Sequence, residues 1–168
     1  MLLFLDTIPY ITIFIFGITI GSFLNVCIYR LPLGESVVTA PSHCMTCGRK
    51  LRWYDMVPVF SWLVLGGKCR NCKSEISVQY PIIEGVNGIL YVMICAVNGL
   101  EWSSVIYCFM ASALLVLSII DWRTYEIPFG INVFLFILGI AATWLDRENI
   151  TSHLIGLICV SAFLEILF

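Results

Sequence analysis

Apolar residues run in long unbroken blocks along this chain, and the polar residues gather in the gaps between them. The blocks cover residues 8–29, 82–97, 103–120, 130–145 and 151–168. About 20 such residues make a helix long enough to cross a bilayer, so the pattern predicts five transmembrane helices. Arg30 suits an interfacial anchor and Pro32 a stop for the first helix, while Pro81 suits the first turn of the second. Three parts follow: residues 1–30 as the first transmembrane helix, residues 31–80 as a polar insert, and residues 81–168 as a membrane domain with four further helices.

Composition agrees with the pattern. Of the 168 residues, 60% are hydrophobic and only 12% charged, and the mean hydropathy is +0.97. A soluble domain of this size has no way to hide so much apolar surface. The net charge of −2 says little, but its distribution says more. Seven of the nine Lys and Arg residues lie between Arg30 and Lys73, with only Glu35, Asp55 and Glu75 against them. Basic loops are retained on the cytoplasmic side. The insert and the connection after Asp121 are therefore expected inside, and the N-terminus and the turns at Asn98 and Asp146 outside. Arg147 breaches that rule, flanked by Asp146 and Glu148. Residues 1–6 carry no basic region and no small-x-small cleavage site follows, so the first block reads as a membrane helix and not as a cleaved signal. The last block reaches Phe168 with no interfacial anchor, the pattern expected of a fragment or truncated product; the alternative is a natural terminus at the interface.

The insert holds the strongest chemical signal. Cys44 and Cys47 form one Cys-x-x-Cys pair, and Cys69 and Cys72 form another 21 residues on. Two such pairs grip opposite sides of a tetrahedral Zn²⁺. Gly48 would permit the tight turn beneath the metal, and Arg49, Lys50, Lys68, Arg70 and Lys73 would offset the thiolate charge. Four protein ligands leave no open position, so the site is structural. Unligated or redox-active thiols are the alternative, and His43 is an adjacent substitute ligand. Cys27, Cys95, Cys108 and Cys159 lie in apolar runs and read as small buried hydrophobes. The fold class expected is an all-α polytopic membrane protein with a small cytoplasmic zinc-ribbon-like insert.

Asp121 follows an apolar helix directly, where a carboxylate is costly and is a functional candidate by default; pairing with Arg123 is the alternative. Glu84, one turn into the second helix, reads first as a charge favoured by the backbone dipole, with a second acid or an ion-pair partner as alternatives. Asn25 is a buried amide suited to a bond between helices, and Glu165 has no identifiable partner. Gly17 and Gly21 form a Gly-x-x-x-Gly whose first meaning is close helix packing, with a substrate-facing groove as the lesser one.

Several segments together resemble a known family. The run from Gly21 to Pro32 (Gly-Ser-Phe-Leu-Asn-Val-Cys-Ile-Tyr-Arg-Leu-Pro) resembles the N-terminal signature of the prepilin peptidases, also called type IV leader peptidases. So do Trp53-Tyr-Asp-Met-Val-Pro58 with Ser61-Trp62-Leu63, and Gly67-Lys-Cys-Arg-Asn-Cys72 leading into Tyr80-Pro-Ile-Ile-Glu84. Ile120-Asp121-Trp-Arg-Thr-Tyr-Glu-Ile-Pro128 completes the set, with Phe129 where the family often has an acid.

The resemblance implies an aspartic endopeptidase of the bacterial inner membrane. Such enzymes remove the leader from prepilins and pseudopilins at the cytoplasmic face, and many also methylate the new N-terminus with S-adenosylmethionine. Asp121 matches the first catalytic aspartate. The second lies in a Gly-x-Gly-Asp-x-Lys motif that this chain does not contain. An aspartic mechanism needs two carboxyls that share a proton, one to activate water and one to polarise the carbonyl. Glu126 is too close in sequence to oppose Asp121 across a cleft. The 168-residue chain is thus expected to be inactive alone. Expected partners are a prepilin or pseudopilin and the lipid bilayer, with no nucleic acid. Zinc is expected to be supportive, since some family members lack the cysteines. A non-catalytic zinc-ribbon membrane anchor or scaffold for pilus or secretion assembly is the rival reading, and a transporter a weaker third.

Overall fold

The computed structural model describes residues 2–39 and 41–167, with side chains described for residues 7–39, 41–156, 158 and 159. The carboxyl of Glu165 lies outside the described residues. Helices dominate: α1 (Leu2–Arg30), α2 (Phe60–Val64), α3 (Gln79–Asn98), α4 (Trp102–Thr124), α5 (Phe129–Leu145) and α6 (Ile150–Leu167). No strand forms among the described residues, and the protein is an all-α polytopic membrane protein with a tetracysteine insert.

Local chemistry sets the boundaries. At the end of α1 a 3-10 turn, Leu31–Leu33, takes Pro32, and Gly34 closes it in the left-handed region with φ +66°. Pro81 is the third residue of α3, where its missing N–H costs nothing. Tyr125 caps α4 with φ +54°, its N–H reaching the Asp121 carbonyl at 2.8 Å.

Three helices among the described residues are long and apolar enough to cross a membrane: Thr7–Leu33, Gln79–Asn98 and Trp102–Thr124. Phe129–Leu145 and Arg147–Gly156 meet at a 98° bend and together pass as one broken or re-entrant span. Asp146 forms that corner, accepting from Asn149 Nδ2 at 2.9 Å and pairing with His153 Nε2 at 3.1 Å.

The closest packing is between α1 and α3. A Cβ on Gly17 would lie 2.7 Å from the Gly88 Cα, and one on Gly21 would lie 2.7 Å from the Glu84 Cα. The Gly-x-x-x-Gly spacing is therefore a packing seam, as expected. Beside it, α4 joins through a buried polar chain. Tyr91 donates to Ser112 Oγ at 3.0 Å, Ser112 to Asn87 Oδ1 at 2.8 Å, and Asn87 Nδ2 to the Gly17 carbonyl at 2.8 Å. Leu24, Ile28, Ile83, Ala113, Val116, Ile120 and Ile131 form the apolar core around these contacts.

Candidate active site and metal centre

The two halves of the insert use the same local fold. The Cys44 N–H donates to the Arg49 carbonyl at 3.0 Å, and the Gly48 N–H to the Cys44 carbonyl at 2.9 Å. In the second half the Cys69 N–H reaches the Ser74 carbonyl at 2.8 Å, and the Lys73 N–H the Cys69 carbonyl at 3.0 Å. Gly48 and Lys73 hold corresponding positions, with φ +68° and +60°. The left-handed turn under each knuckle is thus made by glycine in one and by lysine in the other.

These turns bring Cys44, Cys47, Cys69 and Cys72 together, their sulfurs all within 4.8 Å of one another. Cys44 Sγ and Cys72 Sγ stand 3.8 Å apart. A tetrahedral ZnS₄ centre with Zn–S of about 2.3 Å needs S···S edges of about 3.8 Å, so the cluster has the dimensions of a metal site. The backbone N–H groups of Cys47 and Thr46 pull the Cys44 thiol down to about 6, favouring its thiolate. Cys72 is lowered by the Ser74 hydroxyl and backbone. Cys47 moves the other way: the Arg49 N–H favours its thiolate, but desolvation and the sulfurs of Cys44 and Cys72 outweigh it. Protons and sulfurs compete inside the cluster, and a bound cation would let all four ionise.

The surrounding cations are arranged differently from the simple offset expected. Arg70 pairs with Asp55 at 2.8 Å, and Arg49 Nη1 donates to Asn71 Oδ1 at 2.7 Å. Asn71 Nδ2 in turn approaches Cys47 Sγ at 3.9 Å. His43 Nδ1 sits 3.2 Å from the Pro41 carbonyl and takes no part in the sulfur cluster. Of the other cysteines, Cys95 and Cys108 are buried and Cys27 half-buried, whereas Cys159 is exposed on α6.

Beneath the insert lies a cavity of about 680 Å³, walled by α1, α3 and the cysteine loops. Ser22, Asn25, Tyr29, Tyr80 and Glu84 line its membrane side. Asn25 donates to the Tyr80 carbonyl at 3.2 Å, and its Oδ1 is buried with no partner. Glu84 is 5% exposed, and its Oε2 accepts the Val59 N–H at 2.6 Å. Val59 is the centre of a γ-turn, with φ +60° and the Phe60 N–H 2.5 Å from the Pro58 carbonyl. That conformation is strained, the more so for a β-branched residue. Glu84 is therefore a tether between insert and membrane helix, beyond the dipole role expected of it. A lone carboxylate in an apolar helix was its sequence signal. Asn87, by contrast, had none beyond being an amide in an apolar run.

Asp121 stands apart from both features. It is exposed at the end of α4 and does not line the cavity. Its side chain forms no ion pair among the described residues. Arg123, the alternative partner, is turned away: it donates to Gln79 Oε1 and lies 5.0 Å over the Tyr29 ring. The same contacts place the end of α4, and so Asp121, at the insert's end of the helix bundle. Glu126 is exposed just past the Tyr125 cap.

Two family models divide the sequence between them. The bacterial peptidase A24 N-terminal domain matches residues 15–98, and the type IV leader peptidase family matches residues 108–168. The chain belongs to the type IV leader peptidase family. A prepilin leader peptidase/N-methyltransferase of Myxococcus xanthus is 38% identical over 129 residues, covering 77% of this chain and 38% of that protein. One of Burkholderia pseudomallei is 31% identical over 176 residues, 89% of this chain and 57% of its own length. A third, from Xanthomonas campestris, is 33% identical over 150 residues, 76% and 52% of the two chains. The chain thus spans between about two-fifths and three-fifths of these leader peptidases. No solved structure matches it.

Proposed function

We propose that the chain carries the metal-bearing insert and the first catalytic carboxyl of an intramembrane aspartic endopeptidase that removes the leader from prepilins or pseudopilins. The observation that carries this reading is Asp121. Its carboxyl is exposed, unpaired among the described residues and released from its neighbour Arg123, at the same bundle end as the insert. The type IV leader peptidase match, residues 108–168, includes it. In the reaction Asp121 and a second carboxyl would share one proton. The ionised member takes a proton from water as that water attacks the scissile carbonyl, and the protonated member donates to the carbonyl oxygen. The second carboxyl belongs to a Gly-x-Gly-Asp motif not found in residues 1–168.

The tetracysteine cluster would hold a closed, structural Zn²⁺, which fixes the insert and takes no part in bond cleavage. The relatives' names include N-methyltransferase, and the cavity fits a small methyl donor. Its 680 Å³ falls in the range of small-molecule sites, and Asn25 Oδ1 is an unpartnered acceptor in a lining that also includes Glu84 and the rings of Tyr29 and Tyr80. A bound S-adenosylmethionine would supply a methyl group to the new N-terminal amine. Glu84 would face its positive charge, and the tyrosines would pack against it.

The test uses a protein that joins these residues to a Gly-x-Gly-Asp segment. Asp121→Asn keeps the shape and removes the ionisable group, so prepilin cleavage in membranes should fall to background while methylation of an already cut pilin persists. Cleavage near the unsubstituted rate, or cleavage by residues 1–168 alone, would refute the assignment.

A further inference from the structure

The insert dips into the level of the membrane helices. Its anchor point is the Val59 N–H on Glu84 Oε2, and Glu84 sits where α3 touches Gly21 of α1. Gly21 precedes Arg30 by nine residues, which at about 1.5 Å per residue puts it about 13 Å inside the level of Arg30. Helical side chains lean toward the helix N-terminus, which for α3 is the insert's end, so Glu84 Oε2 and Val59 lie shallower than Gly21. Val59 therefore lies inside the level of Arg30, in the outer part of the span where headgroups give way to acyl chains.

Helix α2 begins at the next residue. Phe60, Leu63 and Val64 are 61%, 60% and 82% exposed, and their i, i+3, i+4 spacing puts them on one face. Trp62 turns inward, its Nε1 donating to the Ile76 carbonyl at 3.1 Å and its ring packed beneath Gly67. The segment from Arg30 to Glu75 adds seven Lys and Arg residues against three acids, a balance drawn to anionic headgroups.

We propose that α2 is a lipid-inserted element: Phe60, Leu63 and Val64 enter the headgroup–acyl boundary of an anionic bilayer, and the insert rests on the membrane through them. The insert is then held at two points, by Glu84 and by lipid, which fixes the height of the cavity roof. This placement depends on α1 and α3 crossing the bilayer and is independent of what Asp121 does.

Photo-crosslinking of the full chain in phosphatidylethanolamine–phosphatidylglycerol vesicles decides it. A benzophenone amino acid is placed at Leu63 or Val64, and at Val38 as an insert position 84% exposed. Illumination should give lipid adducts at Leu63 and Val64 and only background at Val38. Equal lipid labelling at all three, no lipid adduct at Leu63 and Val64, or adducts there only to a second protein chain would each overturn the proposal. As an independent measure, L63K together with V64K should speed proteolysis within residues 31–80 while leaving bound zinc unchanged. An unchanged proteolysis rate would count against lipid insertion equally.

Discussion

Gly21 has no side chain because the backbone of α3 occupies the space one would need. A Cβ there would stand 2.7 Å from the Glu84 Cα, and backbone has no rotamer through which to retreat. Gly21→Leu should therefore destabilise the helix pair by about 1–3 kcal/mol or more, as overpacking does, and lower the midpoint of detergent-induced unfolding. Gly34→Ala is the contrast. Nothing lies within 4 Å of its Cβ position, but its φ of +66° is unfavourable for an L side chain, so the loss should be only about 1 kcal/mol. The knuckles offer a paired test, because Lys73 carries in one half the strain that Gly48 avoids in the other. Lys73→Gly should stabilise the insert by up to about 1 kcal/mol and Gly48→Ala should destabilise it by a similar amount, read from the urea midpoint of zinc release. At this scale the sequence was partly readable. A four-residue glycine spacing puts both positions on one helix face, so a seam was legible. Its partners Glu84 and Gly88 were not, because spacing on one helix carries no address on another.

Few of the insert's described residues are buried, so a metal cross-link is expected to supply much of its stability. Among the cysteines of the insert only Cys69 is buried, so the metal would stand in for a core. Cys44→Ser with Cys69→Ser should abolish zinc binding and open residues 31–80 to protease, as metal analysis and limited digestion would show. Zinc retained by the double variant would remove the metal from this account. The Cys-x-x-Cys pairs were legible because thiolate spacing mirrors tetrahedral geometry directly. The tether was not. Glu84 at the start of an apolar helix fits a dipole partner equally well, and only the three-dimensional return of Val59 at 2.6 Å distinguishes the two. The bend after Leu145 was equally hidden, since apolar content reports that a helix prefers lipid but not the angle at which it meets the next.

For the molecule as a whole, the decisive relation is which functional groups share a membrane face. Helices α3 and α4 are joined by only residues 99–101 and must run antiparallel. The start of α3 and the end of α4 then return to one level, and the Arg123 side chain on Gln79 links them there. Because the insert leads into α3, it and Asp121 belong to the same side whichever way the bundle is inserted. The direction of insertion is a separate expectation, resting on the seven basic residues between Arg30 and Lys73, which are costly to translocate. Both statements can be tested at once with epitope tags placed after Ser36, Leu100 and Glu126 in bacterial cells stripped of their outer layers. Antibody should reach the Leu100 tag in intact spheroplasts and the other two only after lysis. Tags at Ser36 and Glu126 that are both reachable without lysis would reverse the orientation but keep the shared face. Tags that part company would break the α3–α4 hairpin, and with it the placement of Asp121 on the insert's side of the membrane, on which the peptidase reading depends.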